Sequence, residues 1–192
     1  YTDQSKFGCS VDITDSYAIV GASGANKAFI FENNFSDGWS KAATVVFDYS
    51  EDASQEFGFS VSMTDTFALV GAPGKEMAYI FAKPILYGAT FPSKADYTLK
   101  DYSGLGYTKG RFGASVAVTN AHALVGATLA QKAFFFSRKN AESSLGGIGG
   151  WPASPTASID AYGNEIDFGE SVALTDSLAV VGAKGSGKAF IF

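Results

Sequence analysis

Cysteine and histidine are nearly absent from this chain of 192 residues: Cys9 and His122 stand alone. A lone cysteine excludes an intrachain disulfide, and one histidine with one cysteine cannot assemble a four-ligand zinc centre. Charged residues make up only 17% of the chain, the net charge is −5, and no basic cluster occurs. That excludes the electrostatic footprint of a nucleic-acid binder. The apolar runs are short and broken by glycine, so none reads as a membrane span. No secretory leader is visible, and the chain begins at Tyr1 rather than Met, as a processed mature protein would.

Catalytic patterns are as scarce. His122 takes the repeat position filled elsewhere by Tyr17, Phe67 and Leu178, which reads as a strand residue beside a turn rather than a base. Carboxylates such as Asp15, Asp65 and Asp176 are spread over turns, and no glycosidase-type pair is marked out by spacing. The run GAKGSGK over Gly182 to Lys188 resembles a phosphate loop only in composition, because Ala189 and a strand follow in place of Ser or Thr and a helix. The expectation is a protein that is not an enzyme and carries no metal or cofactor.

What the chain does contain is glycine, 22 residues, and aromatics at 15% of the sequence, organised by a 25-residue pattern that occurs four times without an internal gap. The copies span 7–31, 57–81, 112–136 and 168–192, and 25, 30 and 31 residues separate them. Eleven positions are identical in all copies: the opening Phe-Gly, then Ser, Val, Thr, Ala, the triplet Val-Gly-Ala, a later Ala and the closing Phe. A self-similar unit with a period near 50 residues marks a repeat architecture. Since each unit leans on its neighbours, residues 1–192 are expected to form one domain.

Each copy reads as three strands. The segment before the Thr-Asp or Thr-Asn pair alternates over a short strand length, and that pair favours a tight turn. The next run, ALVGA in the second copy, is apolar on both faces, as in a strand covered on both sides. Its small residues suggest a close approach of backbones. KAFIF, MAYIF, KAFFF and KAFIF supply a third strand with β-branched and aromatic residues. Fourth strands are expected in the spacers at 43–49, 95–102 and 156–162. The resulting unit is a four-stranded antiparallel blade, and the fold class is all-β, a four-bladed β-propeller.

Phe-Gly at the head of each copy and VGAP, VGAS or VGAK at its middle resemble the FG-GAP repeat, the blade unit of integrin α-subunit propellers. The copy with Gly71, Ala72 and Pro73 matches it most closely, and the resemblance covers the whole chain. It implies an extracellular, adhesive or structural role. The Asp-rich calcium loop of many such repeats has no counterpart here, so the metal-free short-repeat subtype is the better comparison. A calcium ion takes six to eight oxygens, which these short turns do not supply.

The fourth copy closes at Phe192, the last residue of the sequence, and the expectation is a last blade without its outer strand. Lys188, Ala189, Phe190, Ile191 and Phe192, with Tyr1 and Thr2 contributing a few residues of pairing, form a candidate assembly edge, because an unpaired strand is a template for another chain. Head-to-tail pairing there that does not close gives a filament. Two chains combining into an eight-bladed ring is a further possibility, and an edge covered by the glycine-rich stretch 145–151 another. Trp39, Tyr87, Phe91 and Trp151 are candidate binding aromatics in the spacers. Asn34-Phe35-Ser36 is an N-glycosylation tripeptide. The expected protein is secreted and pairs with itself or with an extracellular protein. The alternative is a lectin-like module that binds glycan without self-assembly.

Overall fold

The invariant residues of the repeat are accounted for one by one in a computed structural model, which describes residues 3–51, 54–101, 110–139, 150–161, 163 and 165–192. The opening Phe-Gly forms the centre of a tight turn. The N–H groups of Cys9, Phe59, Ala114 and Glu170 donate to the carbonyls of Lys6, Glu56, Arg111 and Asp167 at 3.0–3.1 Å. Gly8, Gly58, Gly113 and Gly169 there hold φ between 85° and 93°, a turn geometry that demands glycine. The invariant threonine closes the next turn: Thr14, Thr64, Thr119 and Thr175 accept through Oγ1 from the N–H three residues on, at 3.0–3.1 Å.

The strands assemble into four antiparallel sheets. Sheet I contains β1 (Phe7–Ile13), β2 (Tyr17–Ala22), β3 (Lys27–Asn34) and β5 (Val45–Asp48), with the two-residue β4 (Gly38–Trp39) folded back on the end of β3. Sheet II is β6 (Ser60–Met63), β7 (Phe67–Ala72), β8 (Met77–Ala82) and β9 (Tyr97–Lys100). Sheet III is β10 (Phe112–Val118), β11 (His122–Ala127), β12 (Lys132–Ser137) and β13 (Ala157–Asp160). Sheet IV has β14 (Phe168–Leu174), β15 (Ala179–Ala183) and β16 (Lys188–Ile191). Among the described residues no strand pairs with the outer side of β16. The spacer strands fall inside the three windows expected from sequence. The β3–β4 hairpin does not follow from the repeat.

The sheets stack face to face. Tyr17, Ile19, Ala28, Ile30 and Phe47 of sheet I meet Phe57, Val61, Met63, Val70 and Phe81 of sheet II in one buried cluster. Leu69, Ile80 and Leu99 of sheet II meet Phe112, Val116, Val125 and Phe136 of sheet III in a second. Leu124 and Ala133 of sheet III meet Phe168, Val181 and Ala183 of sheet IV in a third. Successive residues of a strand thus serve opposite neighbours, which is why the middle strand β7 is buried along its whole length.

Close approach between sheets explains the second invariant glycine. A Cβ on Gly21, Gly71 or Gly126 would collide with the carbonyl oxygen of Gly58, Gly113 or Gly169 of the following sheet. The same carbonyls accept from Ser60 Oγ at 2.8 Å and Ser115 Oγ at 2.7 Å, and Gly58 O accepts from Cys9 Sγ at 3.2 Å. Glycine and the Phe-Gly turn therefore form one device repeated at all three boundaries, with a serine donor at the second and third and Cys9 at the first.

The stack is open. No buried cluster among the described residues joins sheet I to sheet IV, so the four sheets do not close on themselves as a four-bladed ring would require. Asp3–Ser5 form a 3₁₀ turn whose Gln4 carbonyl lies against Gly24 of their own sheet, as Ser54 and Gln55 lie against Gly74 in sheet II. Tyr1 and Thr2 of the expected edge lie outside the described residues, as does most of the glycine-rich stretch 145–151.

Candidate functional site

β3 runs beyond the repeat because its last residues are tied to the neighbouring turn: Asn33 N donates to Ser16 O at 2.8 Å and Asn33 Nδ2 to Asp15 O at 3.0 Å. The chain then reverses through Asn34–Asp37, with Asp37 N donating to Asn34 O at 2.9 Å. It returns as β4, held by Ser40 N on Glu32 O at 2.9 Å and by Glu32 N on Ser40 Oγ at 3.1 Å. This projecting hairpin carries Phe35 and Trp39, both exposed.

Opposite it, the loop after β8 turns at Leu86, where Ala89 N donates to Leu86 O at 3.0 Å, and presents Ile85, Leu86 and Tyr87 to solvent. Hairpin and loop enclose an open cleft of about 1080 Å³, lined by Phe35, Trp39 and Tyr87 together with Glu32, Asn33, Asp37 and Lys41. Its floor is Tyr17, whose hydroxyl accepts from Lys83 Nζ at 2.8 Å and whose ring meets Phe91 edge-on at 5.5 Å. Large apolar side chains grouped at a concave surface mark an interaction site more strongly than scattered ones do.

The structure divides the four candidate aromatics. Trp39 and Tyr87 come together at this cleft, although 48 positions separate them in sequence. Phe91 and Trp151 are buried: Phe91 belongs to the cluster between sheets I and II, and Trp151 packs edge-on against Phe67 at 5.4 Å. Both are core residues, because the spacers that carry them fold back over the sheets. Phe35, Ile85 and Leu86 were missed by sequence reasoning, and their only signal is an apolar residue between turn formers. Asn34 is exposed on the rim of the cleft, with Nδ2 donating to Asp37 Oδ2 at 3.2 Å and Oδ1 accepting from Ser36 Oγ at 3.0 Å.

The assembly-edge residues are placed as follows. Phe192 exchanges two backbone hydrogen bonds with Ala179, at 2.8 and 2.9 Å, so the pairing with β15 is complete. In sheets I and III the lysine that opens the third strand pairs with an aspartate directly opposite on the fourth, Lys27 with Asp48 and Lys132 with Asp160. Among the described residues Lys188 has no such strand beside it, and it reaches Glu165 at 2.7 Å.

Among the described residues, Asp48 and Glu165 depart from ordinary acidity, both downward. The Lys27 ammonium and then the Ser50 hydrogen bonds hold Asp48 at about 2, and Lys188 followed by Ser186 lowers Glu165. Burial pushes the Tyr49 hydroxyl up. Lysine partners that favour carboxylate are the opposite of what a general acid needs. His122, half-buried at the start of β11, lies 4.9 Å from the Phe135 ring. Its Nδ1 has no hydrogen-bond partner among the described residues. Among the described residues no three His, Cys, Asp or Glu side chains are grouped for a metal ion, and no helix is long and apolar enough to cross a membrane.

No protein-family model matches the chain, and no curated protein matches it in sequence. Solved structures do. The chain is similar to the β-propeller domain of Cps50 (Swd1) from Myceliophthora thermophila, at 12% identity and a TM-score of 0.55, over 95% of this chain and 52% of that one. A Lactobacillus plantarum protein matches at 12% identity and a TM-score of 0.64, over 94% and 50%. Kluyveromyces lactis Hsv2 matches at 8% and 0.54, over 91% and 52%. At such identities the likeness shows the fold alone: the stacked sheets are those of a β-propeller. The chain spans about half the length of the structures it matches.

Proposed function

We propose that this protein is a non-enzymatic β-propeller module of the metal-free FG-GAP type, secreted, with a structural or adhesive role, and that it binds other proteins through the cleft of sheet I. The observation that carries this reading is the grouping of exposed Phe35, Trp39 and Tyr87 around one cleft. Aromatic anchors in a concave site supply most of the energy of a typical protein interface. Glu32, Asp37 and Lys41 form a polar rim of mixed charge. Self-association belongs to the same reading. The outer side of Lys188–Phe192, unpaired among the described residues, offers strand addition, head to tail, and growth without closure would give a filament.

A second reading is favoured by Trp39 and Tyr87 lying beside Asn33 and Asp37, since aromatic faces with amide and carboxylate neighbours also suit a sugar ring. One experiment separates the two. Wild type and the Trp39→Ala/Tyr87→Ala double variant are compared on an array of extracellular proteins and on a glycan array. The expected result is a protein ligand bound by wild type and lost in the variant. A glycan lost in the same way would favour the lectin-like reading, and binding indifferent to both substitutions would overturn the cleft as the site. Expression through a secretory pathway should attach an N-glycan at Asn34, read as a mass shift that Asn34→Gln abolishes. An unmodified secreted chain would remove that part of the reading.

A further inference from the structure

Asp37 and Gly38 form the only Asp-Gly pair of the sequence, and no Asn-Gly pair occurs. Such a pair is reactive toward itself. The main-chain nitrogen after an aspartate closes on the side-chain carboxyl carbon to give a five-membered ring, an approach that a Cβ on the following residue hinders. Glycine has none. The structure sets the pair where the reaction meets least resistance. Residues 34–39 are all exposed, Gly38 holds φ at 80°, and even a Cβ built on it would meet nothing within 4 Å. Every other aspartate precedes a residue that carries a side chain, as Asp12 precedes Ile13, Asp48 precedes Tyr49 and Asp65 precedes Thr66.

Two hydrogen bonds fix the aspartate, and a weak ladder frees the glycine. Asp37 N donates to Asn34 O at 2.9 Å, so position 37 closes the turn of the hairpin. Asn34 Nδ2 donates to Asp37 Oδ2 at 3.2 Å. That bond draws electrons from the carboxyl carbon and makes it the better electrophile. Gly38 stands opposite Asn34 in a ladder of two rungs, the other being Trp39 opposite Asn33. Pairing this short opens at small cost. Each opening releases the Gly38 N–H and lets the Asp37 main chain rotate toward attack.

We infer that Asp37 is a self-modification site, where the chain isomerises to isoaspartate and thereby dismantles the hairpin that carries Trp39. The Gly38 nitrogen gives up its proton and bonds to Asp37 Cγ, and one carboxyl oxygen leaves as water. A second water then opens the succinimide. Cleavage of the new N–Cγ bond restores aspartate. Cleavage between the nitrogen and the main-chain carbonyl leaves the backbone running through Cγ, with the former main-chain carboxyl as the side chain. One water is lost and one gained, so the mass is unchanged. The backbone is now one methylene longer between residues 37 and 38. An extra atom there puts the donors and acceptors of β4 out of phase with those of β3, and the bond from Ser40 N to Glu32 O, which seats Trp39, is lost with them. The effect on partner binding rests on the cleft reading; the chemistry does not.

The test is peptide mapping of the folded protein after several weeks at neutral pH, with isoaspartate read by isoaspartyl methylation and by the retention shift of a peptide of unchanged mass. Two controls run beside it: the same chain in urea, and an Asp37→Glu variant, whose longer side chain would have to close a slower six-membered ring. The expected result is isoaspartate in the peptide that holds Asp37 and Gly38, several-fold above every other aspartate peptide and absent from Asp37→Glu. In the aged fraction, amide exchange at Ser40 should be faster than in fresh protein. Isoaspartate that forms in urea but not in the folded chain would overturn the proposal. So would isoaspartate at position 37 with exchange at Ser40 unchanged. Neither readout needs a ligand, so a cleft that binds no protein would leave both results standing, and a stable Asp37 would leave the cleft reading standing.

Discussion

Gly71 and Gly182 hold the same place in their repeats and meet different surroundings. A methyl group on Gly71 would run into the Gly113 carbonyl and Ser60 Oγ, whereas on Gly182 it would meet only the side chain of Ser171. A Gly71→Ala variant must push two sheets apart. The expected cost is ~1–3 kcal/mol, read as a melting temperature lower by roughly 2–4 °C per kcal/mol. Gly182→Ala should cost clearly less in the single chain, because a serine hydroxyl can rotate away; equal losses would contradict the account of the sheet boundary. Ser60→Ala removes the bond to Gly113 O and should lose about 1 kcal/mol by denaturant unfolding. The identity of these residues across the four copies already pointed to crowding. Which atoms crowd was hidden, because the contact runs between repeats 50 or more positions apart.

Sheet I shows how far single elements follow from sequence. The fourth strand at Val45–Asp48 was legible because β-branched and aromatic residues, ATVVFDY over 43–49, run up to a polar turn. Phe47 is wholly buried and stacks on Phe81 at 3.7 Å. Phe47→Ala should therefore cost ~3–5 kcal/mol in thermal or denaturant unfolding, and a surface-like loss below about 0.5 kcal/mol would contradict its place in the core. The β3–β4 hairpin was not legible, since two residues of pairing leave no periodicity. Nor was the burial of Phe91 and Trp151, which depends on spacers that share no pattern with one another. The Lys27–Asp48 rung that pins β5 gives a pH signature. Asp48 lies at about 2 in the fold against an ordinary 3.8, so its contribution is present above the unfolded value and fades as pH falls from near 3.8 toward 2. With both groups partly exposed, the loss should be about 0.2–1 kcal/mol. An Asp48→Asn variant should be less stable than wild type at pH 7 and converge with it at the acid end of that window.

At the scale of the molecule, the repeat announced stacked antiparallel sheets, and among the described residues the outer side of β16 is left unpaired. The structure adds the larger exposed surfaces, the two faces at the ends of the described stack. These were invisible in the sequence because Val11 and Ile13 look like Val61 and Met63 until one asks what lies beyond them. The aromatic cleft sits on the rim of sheet I rather than on either end face. The most direct measurement is the affinity of a protein ligand taken from the extracellular array, for wild type and for Trp39→Ala/Tyr87→Ala. The account predicts binding by wild type that weakens by roughly tenfold or more in the variant, with circular dichroism unchanged. Equal affinity of the two would contradict it.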